Sequence, residues 1–153
     1  MYHTLLIIHS YWRWVVLISL LLAIYKSYFG WKNQLNFTKN DNLLRHLTAT
    51  ILHIQLILGL MLYSLSPLVK YFYQDFIHAI HLREIRFFGM EHISSMIISI
   101  TIITIGSIKA KRKLDDNQKF KTMFWYYLIG LLLIFTSIPW AFSPLVSRPL
   151  LRF

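Results

Sequence analysis

The chain has 153 residues, enough for a single domain over 1–153 and too few for several independent ones. It is 56% hydrophobic and 16% aromatic with 14% charged residues, which excludes a disordered polypeptide. The formal charge of +10 does not mark a nucleic-acid-binding protein, because the basic residues sit in short stretches between long apolar runs.

A helix rises about 1.5 Å per residue, so a hydrocarbon layer of about 30 Å calls for roughly 20 apolar residues. Four runs have that length: 5–25, 43–65, 87–108 and 123–142. Backbone amides in lipid must be paired within their own segment, and barrel-type alternation is absent, so the runs are predicted helices. The first is too long for a signal peptide, carries Arg13 and lacks a small-residue cleavage site, so it is expected to be retained. Asp41 is the expected N-cap of the second helix, and Ser66-Pro67 its stop. Residues 69–82 are too short and too polar to span; Tyr71, Phe72, Tyr73 and Phe76 predict a short interfacial helix there. Asp115-Asp116-Asn117 predicts a turn and cap before the last span, which Pro139-Trp140 closes; 143–153, with two prolines, is expected to be extended. The expected fold is an all-α integral membrane bundle of four helices, up-down-up-down, with an outer interfacial segment between the second and third.

Lys and Arg near the span ends set the expected orientation. The first and third connections carry Lys26, Lys32, Lys39, Arg45, Lys109, Lys111, Arg112, Lys113, Lys119 and Lys121; the opposite side carries Lys70, Arg83, Arg86, Arg148 and Arg152. The richer side is expected to face the cytoplasm, with both termini on the outer side. The segment 109–121 is also expected to touch anionic lipid.

Cysteine is absent, which excludes disulfides, thiolate metal sites and covalent c-type haem. The informative residues are ionisable ones within the spans, since such groups are costly in lipid and mark sites or pairings. They are His9 and Arg13 on the first helix, His53 on the second, and Glu91 with His92 on the third. The helical rise places His9 roughly 6 Å and His92 roughly 7–8 Å below the same end of the bundle, at nearly one level, and His53 roughly 15 Å down. Helices one and three can lie diagonally across such a bundle, so His9 and His92 suit the two axial positions of a haem iron. His53 is a substitute ligand, and Met96 ranks below it. His9, His53, His92 and Glu91 together offer a further possibility, a transition-metal site. His3, His46, His78 and His81 are expected at the interface. An inward polar seam is expected from His46, Thr50 and His53 on the second helix and from His92, Ser95, Ser99 and Gly106 on the third. Arg13 is expected to pair with Glu91 or with a ligand carboxylate such as a haem propionate, for which Arg83 and Arg86 are alternative partners.

The pieces His9-Ser10-Tyr11-Trp12-Arg13-Trp14, His53-Ile54-Gln55, Gly59-Leu60-Met61-Leu62-Tyr63, Ser66-Pro67, Arg86-Phe87-Phe88, Glu91-His92 and Ile138-Pro139-Trp140 resemble a family of short four-span bacterial membrane proteins labelled cytochrome b-like. The resemblance covers nearly the whole chain. It implies b-type haem and electron transfer, and carries over to His9, Arg13, His53, Glu91 and His92. The chain lacks paired histidines along each of two helices, so a two-haem wire is not expected.

The expected function is therefore a small b-type cytochrome holding one haem b in the outer half of the bundle, an electron carrier rather than a stand-alone enzyme. A quinone at the outer end, where Trp12, Trp14, Arg13 and Trp140 gather, is a further candidate partner. The alternative is a cofactor-free accessory or assembly subunit of a larger respiratory or other membrane complex.

Overall fold

The computed structural model describes residues 1–141 and 146; the expected extended tail falls almost wholly outside them. Four long helices dominate: α1 Tyr2–Lys32, α2 Lys39–Leu65, α6 His92–Arg112 and α7 Asp116–Ser137. Between α2 and α6 lie three short helices, α3 Pro67–Gln74, α4 Phe76–Ala79 and α5 Arg83–Arg86, and a π-helical turn at Phe87–Glu91. Arg83–Arg112 forms one helical rod, so among the described residues four helices are long and apolar enough to cross a membrane.

The helix ends follow from local chemistry. Thr38, not Asp41, is the N-cap of α2: its hydroxyl accepts from the Asp41 amide at 3.3 Å, and the Asp41 carboxylate accepts from the Thr38 amide at 2.9 Å. This reciprocal box satisfies two donors that the first helical turn leaves open, so α2 begins earlier than its apolar run. Ser66 ends α2, and Pro67, needing no amide partner, opens α3. Asp115 caps α7, accepting from the Gln118 amide at 2.8 Å. The segment expected to be interfacial is three helical pieces, with Val69 and Phe72 buried and Tyr73 outward.

The packing order is a ring: α1 against α2, α2 against α6, α6 against α7, and α7 against α1. Helices α1 and α6 therefore occupy opposite corners. Leu20, Leu52, Ile103, Met123 and Tyr127 fill the centre. Helices α6 and α7 approach closely because Gly106 lies under Tyr126 and Gly130 under Ile103, where a Cβ would collide. The outward faces are apolar too, with Ile18, Leu21, Ile57, Ile98 and Leu132 exposed, as in helices that are hydrophobic all round.

At the lysine-rich end the polar groups are knitted together. Asn117 donates to the Trp31 carbonyl at 2.8 Å, and the Phe37 amide to Asp116 at 2.9 Å, fastening the α1–α2 connection to the start of α7. Arg45, 5% exposed, donates from Nη1 to the Ser107 carbonyl and hydroxyl, and from Nε and Nη2 to Asn42. Its carbonyl accepts from Tyr127 at 2.9 Å.

The expected seam on α2 is corrected here. His46 and His53 are exposed, whereas Arg45, Thr48, Ala49 and Leu52 face inward. The inward face carries the residues that close-pack or pair with Ser107 and the Ser19 carbonyl, and it excludes the imidazoles. On the third span the expectation holds for Ser99 and Gly106, both buried.

Candidate functional site: a cavity between two histidines

A cavity of about 540 Å³ lies among α1, α2, α6 and α7, with the start of α3 also lining it. That volume lies within the usual range for a small-molecule or cofactor site. His9, Ser10 and Arg13 line it from α1; Gln55 and Gly59 from α2; His92 and Met96 from α6. Leu52, Val16, Ile100 and Ile134 close its deep end with apolar surface.

His92 is held from both sides of its ring. Its Nδ1 lies 2.8 Å from the carbonyl of Ser137. Ser137 is the last residue of α7 and Pro139 follows, so this carbonyl lacks a helical donor and takes the imidazole N–H instead. The bond fixes the proton on Nδ1 and leaves Nε2 with the lone pair, the arrangement that backbone carbonyls impose on metal-ligating histidines. Phe87 and Phe88 flank the ring at 5.7 and 6.2 Å between centroids.

The π-helical turn just before His92 has its own support. The Tyr63 hydroxyl donates to the Gly89 carbonyl at 2.6 Å and shares a 2.9 Å contact with Tyr73. Gly89 has no Cβ, and the Phe72 ring lies where one would be. Segment α3 is thereby seated against the entry to α6.

His9 is held by α2. The Gln55 amide nitrogen donates to the His9 carbonyl at 3.1 Å and lies 3.3 Å from its Nε2. Gly59, one turn on, makes room for the ring: a Cβ there would stand 3.2 Å from His9 Cε1. The Nδ1 of His9 and the Oε1 of Gln55 are buried with no hydrogen-bond partner among the described residues. Four residues on, Arg13 lies over two indoles, 5.5 Å from the Trp14 centroid and 5.8 Å from that of Trp140. Trp12 donates to the Ile51 carbonyl at 3.1 Å.

The remaining sequence-predicted residues lie elsewhere. His53 is exposed, its Nε2 3.0 Å from the Thr104 hydroxyl, and does not line the cavity. Glu91 pairs with Arg86 at 2.6 Å rather than with Arg13, and Arg86 also donates to the Ile80 carbonyl at 2.9 Å. Arg86 and Glu91 stand five residues apart across the π-helical turn, so they meet within their own helical rod. His3, His46, His78 and His81 are exposed. His78 contacts Asp75 at 2.8 Å, and that hydrogen bond holds the Asp75 carboxyl below its usual range. No group of three His, Asp or Glu side chains is gathered for a metal ion among the described residues.

Gln55 was the residue of the site least visible in the spacing of histidines. Its signal was an amide in an otherwise apolar stretch, one turn from Gly59 and hence on one face with it. The chain matches no family model, no curated protein and no solved structure.

Proposed function

We propose that the protein is a small membrane-embedded b-type haem protein that transfers single electrons. The carrying observation is that His9 and His92, from opposite corners of the helix ring, line one largely apolar cavity of about 540 Å³. The donor set suits a porphyrin: His92 keeps a lone pair on Nε2, and His9 offers a second Nε2, which the Gln55 amide approaches at 3.3 Å. His92 and His9 would hold the iron, and Arg13, lining the same cavity beside Trp14 and Trp140, would meet a propionate. The haem would supply the one-electron chemistry; the protein supplies axial nitrogen, a dry apolar wall and a cation. The resemblance to the cytochrome b-like family leads to the same reading.

The membrane setting belongs to this proposal. Four apolar helices, outward apolar faces and a concentration of Lys and Arg at one end support an up-down-up-down bundle in a bacterial inner membrane, the basic end cytoplasmic and the termini outside.

One observation favours a second reading. His53 and Thr104 present a polar pair on an outer face at the level of the spans. A polar pair there suits a neighbouring helix, as in an accessory subunit of a larger membrane complex. Purification in mild detergent separates the two. Iron near one per chain and a sharp dithionite-reduced α-band support the haem protein; a colourless, iron-free protein that copurifies with a complex supports the subunit.

A further inference from the structure

The two cavity histidines are not equivalent. His92 donates through Nδ1 to a backbone carbonyl, with Nε2 uncommitted to that bond. Around His9 the polarity is set by Gln55. Its amide nitrogen reaches the His9 carbonyl, which can only accept, so the nitrogen rather than the oxygen must point toward α1. The same NH2 group meets His9 Nε2, which therefore accepts and bears the lone pair, and the ring proton sits on Nδ1. The unpartnered atoms agree: Gln55 Oε1, turned away, and His9 Nδ1, carrying a proton that finds no acceptor.

We infer that Gln55 is a positioning residue that fixes the His9 proton on Nδ1 and competes for its Nε2, making His92 the standing ligand and His9 the exchangeable one. The tautomer half concerns this chain alone; the ligand half rests on the haem reading. A histidine whose Nε2 already accepts a hydrogen bond must give that bond up before it can ligate, whereas His92 gives up nothing.

The test begins on the haem-free full-length protein in detergent. Two-bond 15N–1H correlation spectra of 15N-histidine-labelled protein, assigned by the His9→Ala and His92→Ala variants, read each tautomer directly. Both rings are expected to carry the proton on Nδ1. Gln55→Met, which keeps the length and loses the donor, is expected to move the His9 proton to Nε2 and to leave His92 unchanged; a role for Gln55 in packing alone would move neither. Haemin-loaded protein is then titrated with free imidazole. The wild type is expected to exchange His9 for imidazole at about a tenfold lower concentration than Gln55→Met, the scale of one lost hydrogen bond.

An Nε2–H signal for His9 in the wild type overturns the inference whether or not haem binds, and whether or not Gln55→Met folds. A single imidazole requirement shared by wild type and Gln55→Met overturns the exchangeable assignment. A protein with Nδ1–H on His9 that takes up no haemin overturns the haem reading and keeps the positioning role, so the two failures read differently.

Discussion

The two ends of the bundle bury polar groups in opposite ways. At the lysine-rich end, Arg45 is 5% exposed and all three of its guanidinium nitrogens donate, to Asn42 and Ser107, while Tyr127 completes the cluster from α7. At the cavity end, His9 and Gln55 each leave one polar atom buried and unanswered beside open space. A buried polar group is costly until it is paired; the first end pairs its own groups, whereas the second leaves two polar atoms without a partner among the described residues. Buried polarity alone therefore does not mark the candidate site in this molecule; unsatisfied polarity next to a cavity sets it apart.

The largest expected effect breaks one side of that comparison cleanly. His92→Ala and His9→Ala are each expected to abolish the low-spin haem spectrum, read as loss of the reduced α-band at full protein yield. His53→Ala is expected to leave the spectrum unchanged, because its ring meets Thr104 on an outer face. The reverse pattern, with His53 essential and His9 dispensable, would relocate the site to the α2–α6 surface.

The packed end sharpens the contrast from the other side. Arg45→Ala removes the donor to both residues; Asn42 is exposed and can turn to solvent, but the Ser107 groups stay buried without it. The expected cost is about 1–3 kcal/mol, the scale of stranding buried polar groups. It should appear as a lower midpoint of thermal unfolding, monitored by tryptophan fluorescence in detergent, with haem uptake retained. Loss of haem binding in an otherwise stable Arg45→Ala protein would show that the two ends are not separable.

Much of this arrangement is legible in the sequence, for reasons that also explain the misses. The spans are visible because length and hydropathy report on single helices, and Ser66-Pro67 and Asp115 act within a few residues. The start of α2 is earlier than its apolar run because the Thr38–Asp41 box extends the helix through polar residues that hydropathy discounts. The helical rise leads to the expectation that His9 and His92 share a site, and both residues do line one cavity. Which side of α2 faces inward does not follow from the histidines: Arg45 rather than His46 is buried, because its partners Ser107 and Tyr127 lie on other helices. Likewise the Arg86–Glu91 pair, five residues apart, depends on the turn between them being π-helical, which hydropathy does not report.

The smallest expected effect concerns that pair. Arg86 and Glu91 have side chains 37% and 34% exposed, so solvent screens their attraction even at 2.6 Å. Arg86 also donates to the Ile80 carbonyl, an anchor that survives loss of the carboxylate. Glu91→Gln keeps an oxygen acceptor and removes only the charge, so the expected loss is about 0.2–1 kcal/mol. A thermal midpoint measured at low and high salt should show the difference from wild type shrinking as salt rises, since screening weakens the pair in the wild type alone. Haem uptake should be unaltered, because neither residue lines the cavity. If Glu91→Gln instead abolished haem uptake at unchanged stability, the carboxylate would act on the cavity through His92, its neighbour in the chain, and the boundary of the cavity end would have to be drawn one turn further out.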